Sequence, residues 1–549
     1  MNENLKSTNV GKLLGMNVML VGRDDTGERT YQLPNGLQVT TSNALPILRA
    51  WVRAYDAERT VDLVSAISSS RVSRYDDLNH ELNALGADAE ALTRDYQLAF
   101  IVRELLGDEG RGSNSGLICS PTDLVNLSLM VINSRCPADE QDSGWAFVQR
   151  FAYQQFWDQE NYSAFSRGVL LQREMHAHLS PADRFDLNGE FRALFGLDLD
   201  TFLFLSFGLY AMGTAQPGRT FDESQFVQSP HFNIARGDAE AFFGLISRTF
   251  DEYRDACHHP ATVMDGFDLY NLNPLLRWPA LRRPSGRFVV PIPRYLLDRA
   301  SIGIYLDFLQ GLSDERAGAF GNFWGNAFGA YAGELLRRTP NCGTVVPGDE
   351  NEPRGGCDWI VDDNQTLLLI ECKTAGLSAR ARITGEEEYL RNDVARLRKG
   401  GDTGSSIAGG VVQLMRTHDR LRSQGDQRPK ICLLVTLDKL HFGNNREWLH
   451  RFIREEAEKL YGGPLPTDFQ VSDVGGLERL CALSIASGQS PASLLTRKMG
   501  SEETLQLDLM LFDVPGVGVS AHPLLDEVGA PSLEAVIATF RVDGDDEVG

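Results

Sequence analysis

The sequence predicts a multidomain α+β protein, in which a large, mainly helical N-terminal region precedes an α/β core and a mixed C-terminal extension. The chain has 549 residues. A single hydrophobic core does not organise a chain of this length, so we expect about three domains. Helical periodicity dominates the first half, whereas strand-length apolar runs alternate with helices further on. The predicted segments are a small β segment (1–43), a mainly helical domain (44–285), the α/β core (286–440) and the extension (441–549), which ends in a disordered acidic tail.

Local signals predict the elements of the N-terminal half. Residues 17–41 alternate apolar and polar side chains, which favours a small β-hairpin. Ser120 followed by Pro121 is typical of a helix start, because serine caps free backbone N–H groups and proline fits the first turn. The apolar stretch 201–212 predicts a buried helix, and it is too short to span a bilayer.

The core begins with a predicted helix over 318–338. Its large apolar side chains recur at three- and four-residue spacing, which places them on one face of the helix. A short strand at 344–346 is expected to follow. The apolar stripe consists of Phe320, Trp324, Phe328, Tyr331 and Leu335.

Residues 357–374 carry the main functional signal. A strand begins with Asp358, polar residues form a hairpin turn, and an apolar run returns to Glu371. Residues two apart in a strand share a face, so Glu371 and Lys373 point the same way while Cys372 points into the sheet. The hairpin brings Asp358 roughly level with the end of the returning strand. Two carboxylates and one ammonium therefore meet at the end of a buried sheet, which is unfavourable unless a cation or an anionic substrate compensates them.

The elements after the hairpin complete the core. We expect two helices, over 385–399 and 405–423, with Ser405 or Ser406 as the cap of the second. The unbroken apolar run 431–436 predicts a buried central strand. The predicted order is a helix, three strands, two helices and a strand.

This order, with Asp358, Glu371 and Lys373, resembles the PD-(D/E)xK nuclease superfamily, which has the restriction-endonuclease-like fold. The resemblance covers about 286–440. It implies that Asp358, Glu371 and the main-chain carbonyl of Cys372 hold Mg²⁺, with Mn²⁺ as a substitute. It also implies that Lys373 orients or activates the attacking water. The activity expected from the resemblance is phosphodiester hydrolysis, most simply by a DNA endonuclease.

The chain departs from the superfamily pattern in two places. Cys357 stands where a proline often precedes the aspartate. Related nucleases often carry an acid on the first helix, but here Gly329 occupies that position. Glu334 is a candidate substitute, although its five-residue offset rotates it by more than a right angle; the alternative is a solvated or ion-paired Glu334. Gln413 lies where several families place a glutamine that faces the site, and the alternative is an exposed side chain.

The charge of the chain limits its binding modes. A net charge of −22 excludes a uniformly basic surface for nucleic acid. Two segments nevertheless have a local surplus of basic residues. There are eleven Lys or Arg against seven Asp or Glu in 374–430, and six Arg against one Asp in 271–300. These segments either contact phosphates near the site or pair with the acidic remainder. The acidic helical region favours a protein partner in addition, and an oligomer is compatible with the sequence.

Several other classes of function lack their signatures. The eight cysteines form no CxxC pair, so neither a zinc ribbon nor a disulfide framework is indicated. No P-loop and no HExxH motif occurs. The first residues do not resemble a signal peptide, so we expect a cytoplasmic protein without membrane contact.

Two functions stay open on the sequence. The first is an active Mg²⁺-dependent endonuclease whose helical module senses or recruits, such as a bacterial antiviral-defence or DNA-processing effector. The second is a nuclease fold kept as a scaffold or protein-binding module without cleavage activity.

Overall fold

The computed structural model describes most of the chain between residues 19 and 534. The described elements are helices and mixed or antiparallel sheets, which confirms the α+β class. The predicted disordered tail and the N-terminal turns lie outside the described residues. The described segments are 19–23, 29–32, 38–40, 44–73, 94–107, 117–134, 162–216, 218–227, 234–259, 263–267, 269–348, 356–395, 406–438, 440, 446–499, 522–529, 531 and 534.

A small antiparallel sheet comes first in the chain. Its strands are β1 (Met19–Arg23), β2 (Arg29–Gln32) and β3 (Gln38–Thr40). The β structure predicted within 1–43 is therefore present, as three strands rather than as a single hairpin.

The first helices share one hydrophobic core with later segments of the chain. Ser120 caps the last of these helices as predicted, because its hydroxyl accepts the Asp123 N–H at 3.1 Å, and Pro121 occupies the first turn. Buried residues between 250 and 295 complete the same core. The helices are α1 (Ala44–Val52), α2 (Ala57–Ser73), α3 (Asp95–Leu106) and α4 (Pro121–Asn133).

Five more α-helices lie among the residues that the structure describes between 162 and 257. They are α5 (Tyr162–Val169), α6 (Leu187–Phe195), α7 (Leu199–Ala215), α8 (Arg236–Ile246) and α9 (Phe250–Cys257). The helix α7 is the buried helix predicted at 201–212, and Phe202, Leu203 and Leu205 are at most 1% exposed. Within the described residues, no single helix is both long and apolar enough to cross a membrane; only Pro181–Phe195 and Leu199–Ala215, joined at a 74° bend, reach that length and composition together.

A second small sheet interrupts the helices. It contains β4 (Thr220–Phe221), β5 (Ser247–Thr249), β6 (Ala280–Arg282) and β7 (Phe288–Val289) in the order β4-β7-β6-β5. The pairing of β7 with β4 and β6 crosses the boundary predicted at 285. The mainly helical region therefore includes a sheet. The sequence did not predict this sheet, because strands of two or three residues are too short to show a periodic pattern.

Three helices lead into the core, namely α10 (Arg294–Ala300), α11 (Ile302–Gly311) and α12 (Asp314–Arg337). The helix α12 is the first helix predicted for the core. All five residues of its predicted apolar stripe are at most 2% exposed. Its N-terminus is capped by Ser313, whose hydroxyl accepts the Arg316 N–H.

The core sheet has five strands in the order β12-β11-β10-β9-β8. These are β8 (Thr344–Pro347), β9 (Trp359–Asp362), β10 (Leu367–Lys373), β11 (Lys430–Thr436) and β12 (Gln470–Asp473). The predicted hairpin is present as the antiparallel pair β9 and β10. Its turn contains Asn364 with a φ of 71°, a left-handed conformation that asparagine tolerates. The strand β11 is parallel to both neighbours, and every residue after Lys430 in it is buried.

Helices cover both faces of this sheet. One face packs on α12 and on two helices that follow β12, and the other packs on the described helices between β10 and β12. Ser406 caps α15 through the Gly409 N–H at 2.9 Å, and 396–405 lies outside the described residues. The helices are α13 (Ala379–Thr384), α14 (Glu387–Ala395), α15 (Ile407–Ser423), α16 (Arg446–Tyr461), α17 (Val474–Ser487) and α18 (Pro491–Met499).

The core sheet extends beyond the boundary predicted at 440. The strand β12 pairs with β11 in parallel from Leu433 to Thr436. Residues of α17 and α18 also pack in the same buried cluster as α12. Much of the predicted C-terminal extension therefore belongs to the core. One edge of β11 pairs with β10, and its other edge pairs with β12 from the predicted extension.

Candidate active site

The start of β9 and the end of β10 bring the predicted residues together. Ile370 lies opposite Trp359 in the antiparallel register, so Glu371 lies opposite Asp358. The Asp358 N–H donates to Glu371 Oε2 at 3.2 Å, and Asp358 Oδ2 accepts the Cys372 N–H at 2.6 Å. The convergence of the two carboxylates follows from the hairpin register.

Lys373 lies on the same face as Glu371. Its Nζ donates to Glu371 Oε1 and, at 2.8 Å, to Gln413 Oε1. Gln413 is on α15, and its Nε2 reaches the Gly356 carbonyl at 3.5 Å. Of the two alternatives for Gln413, the structure therefore has the side chain facing the site.

With both carboxyl groups ionised, the cluster would hold more negative charge than its one ammonium balances. Glu371 is only 1% exposed. Burial and the neighbouring Asp358 carboxylate raise the pKa of Glu371 to about 8. Burial opposes the charge of Lys373 as well, but the carboxylates of Glu371 and Asp358 outweigh it and raise the pKa of Lys373 above its ordinary value. Lys373 therefore keeps its proton, and the second negative charge is the unfavourable one, so that Glu371 is largely protonated at neutral pH.

Cys372 contributes its main chain to this cluster. Its N–H donates a hydrogen bond to Asp358. Its side chain packs on the apolar face of the sheet, opposite to the face of Glu371 and Lys373. Burial raises the pKa of the Cys372 thiol well above its ordinary value. The thiol is therefore a packing group, and the carbonyl is the atom of this residue with a predicted role.

Glu334 does not join the site. A Cβ atom built on Gly329 would lie 4.0 Å from Asp358 Oδ1, so position 329 is the one that faces the site from α12. Glu334 instead accepts a hydrogen bond from Arg338 Nε at 2.7 Å and lies 3.7 Å from Arg337. The assignment of Glu334 as a site acid is corrected to the ion-paired alternative, because five residues rotate a helical side chain away from the starting direction.

The donor atoms present fit a hard divalent cation. Mg²⁺ is usually held by one or two carboxylates, with water and phosphate oxygens completing its shell. Asp358 and Glu371 supply two carboxylates, and the carbonyl of Cys372 is the third predicted ligand. Across the described segments, no group of three or more His, Cys, Asp or Glu side chains is placed to hold a metal ion. A metal at this site would therefore depend on two side chains.

Two residues of α15 contact the site without having been predicted. A Cβ on Gly410 would lie 2.9 Å from Lys373 Cε and 2.8 Å from Leu434 Cδ1, so glycine allows the helix backbone to approach the lysine. Thr417 accepts the Cys357 N–H at 2.9 Å. Glycine disfavours a helix interior, so the Gly-Gly pair within a predicted helix was a usable signal for close packing. Thr417 had no comparable signal.

Three of the six arginines in the segment 271–300 pair with acids. Arg299 and Asp307 form a buried ion pair at 2.5 Å, and Arg283 pairs with Asp62. Arg282 lies 3.6 Å from Glu223. These contacts favour the ion-pair alternative over a phosphate-binding surface for this segment.

Basic residues of the segment after the hairpin are also partly paired. Arg382 pairs with Asp438, and Arg391 lies 2.6 Å from Glu455. Fewer basic side chains are therefore available to contact a phosphate backbone here than the count of Lys and Arg in this segment indicates.

Comparison of the chain with protein-family models, with curated proteins and with solved structures finds no match. The geometry of Asp358, Glu371, Lys373 and Gln413 is therefore the basis for assigning a function.

Proposed function

We propose that the protein is a Mg²⁺-dependent nuclease that hydrolyses phosphodiester bonds, most simply as a DNA endonuclease. The observation that supports this proposal is the convergence of the Asp358 and Glu371 carboxylates with the Lys373 ammonium at the end of a buried sheet. A buried carboxylate pair with one ammonium is unfavourable by itself. A divalent cation would offset the remaining negative charge, and a phosphate would then be attracted to the cation.

Each residue has a role that its surroundings support. Asp358, Glu371 and the Cys372 carbonyl would hold Mg²⁺, or Mn²⁺ in its place. When bound, such an ion neutralises charge on the phosphate and lowers the pKa of a bound water. Lys373 keeps its proton beside two carboxylates, so it acts as a donor that orients a water or a phosphate oxygen. Gln413 orients Lys373 through the 2.8 Å hydrogen bond.

The helical region 44–285 has no catalytic cluster of its own in this proposal. Its role would be to sense a trigger or to recruit a partner, as in a defence or DNA-processing effector. The net charge of −22 favours a protein partner over extended contact with DNA.

An assay of the full-length protein tests the proposal. Supercoiled plasmid, linear DNA and RNA are incubated with the protein in Mg²⁺, Mn²⁺ or EDTA. We expect cleavage that depends on the divalent ion and is abolished in Asp358→Ala and Glu371→Ala. Glu334→Ala is the matched control, since this acid is on α12 but is paired with Arg338, and it should retain activity. Full cleavage by Asp358→Ala would refute the site assignment.

A scaffold without cleavage activity is the second candidate. It is favoured by the absence of a side chain at Gly329, the position that faces Asp358 from α12. In this case a folded wild-type protein would cleave none of the three substrates with either ion. Its function would then be to bind a protein partner.

A further inference from the structure

The three consecutive residues directly before β9 are each hydrogen-bonded to a side chain. The Gly356 carbonyl accepts from Gln413 Nε2 at 3.5 Å, and the Cys357 N–H donates to Thr417 Oγ1 at 2.9 Å. The Asp358 N–H donates to Glu371 Oε2 at 3.2 Å. Two of these three contacts come from α15, so this helix holds the backbone that presents the Asp358 carboxylate.

Thr417 connects α15 to the segment before β9. It is 1% exposed, so water does not replace its contacts. Its hydroxyl donates to the Gln413 carbonyl, one turn earlier, at 3.0 Å. A hydroxyl has a single proton and two lone pairs, so Thr417 is left as the acceptor for the Cys357 N–H. An apolar side chain at 417 would leave that buried N–H without this partner, which is unfavourable.

The same helix face approaches Lys373. Gly410, Gln413 and Thr417 are spaced by three and four residues, which places them on one side of α15. Gly410 brings the helix backbone to the Lys373 side chain, and Gln413 accepts from its Nζ. The side of α15 that orients the lysine is therefore also the side that contacts the segment entering β9.

We infer that Thr417 is a positioning residue for the proposed metal site. By accepting the Cys357 N–H, it holds the backbone so that the Asp358 carboxylate faces Glu371. Thr417 itself touches neither metal nor substrate. This inference rests on the proposed function, and it adds a residue to the machinery of the same site.

Two variants at Thr417 isolate its hydroxyl. Thr417→Val keeps the shape and removes the acceptor, whereas Thr417→Ser keeps the acceptor. Thr60→Val is the matched control, because Thr60 is also 1% exposed and its hydroxyl donates to the Asp56 carbonyl, one turn earlier, at 2.6 Å. The control therefore reproduces the loss of a buried threonine hydroxyl in a helix, without affecting β9. Thr417→Ala replaces the valine variant if that variant does not fold.

Binding of Mn²⁺ to the full-length protein is measured by titration calorimetry. Residues that orient metal ligands typically contribute about 10- to 100-fold to affinity, so we expect Thr417→Val to bind Mn²⁺ at least about tenfold more weakly. Thr417→Ser should stay within about threefold of the wild type, because it retains the acceptor, and Thr60→Val should not change. Wild-type affinity in Thr417→Val, alongside lost binding in Asp358→Ala, would overturn the inference.

Hydrogen exchange at the Cys357 amide separates this inference from the proposed function. We expect faster exchange in Thr417→Val than in wild type, Thr417→Ser or Thr60→Val. If the wild type binds no Mn²⁺ at all, the proposed metal site fails. Exchange then still decides whether Thr417 holds this segment, and unchanged exchange in Thr417→Val would overturn the positioning role independently.

Discussion

Lys373 lies between a carboxylate and an amide, and each partner restricts what it can do. Glu371 and Gln413 both accept hydrogen bonds from its Nζ. The carboxylates raise the pKa of Lys373 despite its burial, so the side chain is an ammonium at neutral pH. An ammonium has no lone pair for a metal. In the proposed mechanism Lys373 is therefore a proton donor and not a metal ligand.

Replacing this lysine should separate catalysis from metal binding. We expect Lys373→Ala to slow cleavage by about 10²-fold or more, since a positioned proton donor typically contributes that much. Affinity for Mn²⁺ should persist. Rates under single-turnover conditions and calorimetric titrations test the two expectations. Loss of metal affinity equal to that in Asp358→Ala would contradict the role of Lys373.

His522 is a buried residue whose charge state depends on pH. Its Nδ1 accepts the Leu524 N–H at 3.1 Å, and its Nε2 lies 3.3 Å from Thr339 Oγ1. Burial, together with Arg338, lowers the pKa of His522 to about 4. The unfolded chain, with an ordinary histidine pKa near 6.5, therefore binds a proton at a higher pH than the folded protein does.

This difference predicts a loss of stability in acid. Above about pH 6.5 neither state is protonated at His522, and as the pH falls from there towards 4 the unfolded state gains a proton first. Urea unfolding at pH 7 and pH 5 should show the wild type losing more stability than His522→Gln. His178→Gln, at an exposed histidine, serves as the control and should keep the wild-type difference. Equal pH dependence in His522→Gln and wild type would contradict the prediction.

At the scale of elements, two helices approach the site from different sides and differ in what they present. The helix α12 presents Gly329, whose carbonyl accepts from Trp359 Nε1 at 2.8 Å, so it packs against β9 without adding an acid. The helix α15 presents Gln413 and Thr417, which contact the lysine and the start of β9. Of these two helices, α15 is therefore the one that supplies side-chain hydrogen bonds to the site.

A side chain at position 410 should disturb that orientation. In Gly410→Ala the new methyl group would meet Lys373 Cε at 2.9 Å and Leu434 Cδ1 at 2.8 Å, so the lysine must shift. We expect cleavage at least about tenfold slower, since one such displacement of a reacting group typically has a large effect. Gly325→Ala on α12 is the control, because a Cβ there meets nothing within 4 Å. Equal rates in the two variants would show that the close approach of α15 is not required.

At the scale of the molecule, a buried polar contact joins segments that are far apart in sequence. Glu478 on α17 accepts from Arg167 Nε at 2.6 Å and from Tyr331 Oη at 2.6 Å. Arg167 belongs to α5 of the helical region, and Tyr331 belongs to α12 of the core. The helical region, the core and the C-terminal helices therefore share one buried ion pair, which couples their stability.

Removing one partner should be strongly destabilising. Arg167→Met leaves Glu478 buried without its cation, and such changes typically lower stability by about 3–5 kcal/mol. Arg192→Met is the control, since Arg192 pairs with Asp198 at the surface and exposed pairs contribute about 0–1 kcal/mol. Chemical denaturation followed by circular dichroism compares the two. A similar loss in both variants would mean that the buried pair does not connect the regions.

The sequence by itself determined the hairpin and the residues that it aligns. Asp358, Glu371 and Lys373 lie within 16 consecutive residues, and a hairpin register follows from its turn and from strand alternation. The stripe of α12, the central strand β11 and the caps at Ser120 and Ser406 were predictable for the same reason. All depend on neighbours within a few turns or one hairpin.

Only the tertiary structure decided how distant residues meet this hairpin, because it places Gln413 at the site and not in an exposed position, and it adds Thr417. Gln413 lies 40 residues after Lys373 and Thr417 lies 44 residues after it. Their contacts depend on how α15 buries its apolar face against the sheet. The ion-paired position of Glu334 also depends on the tertiary structure, because it follows from how α12 is rotated against the sheet. The strand β12 is a further case, because it joins the core sheet although the sequence predicted that the core ends at residue 440. Burial of apolar area is non-directional, so a sequence pattern indicates that a face is buried but does not specify its partner.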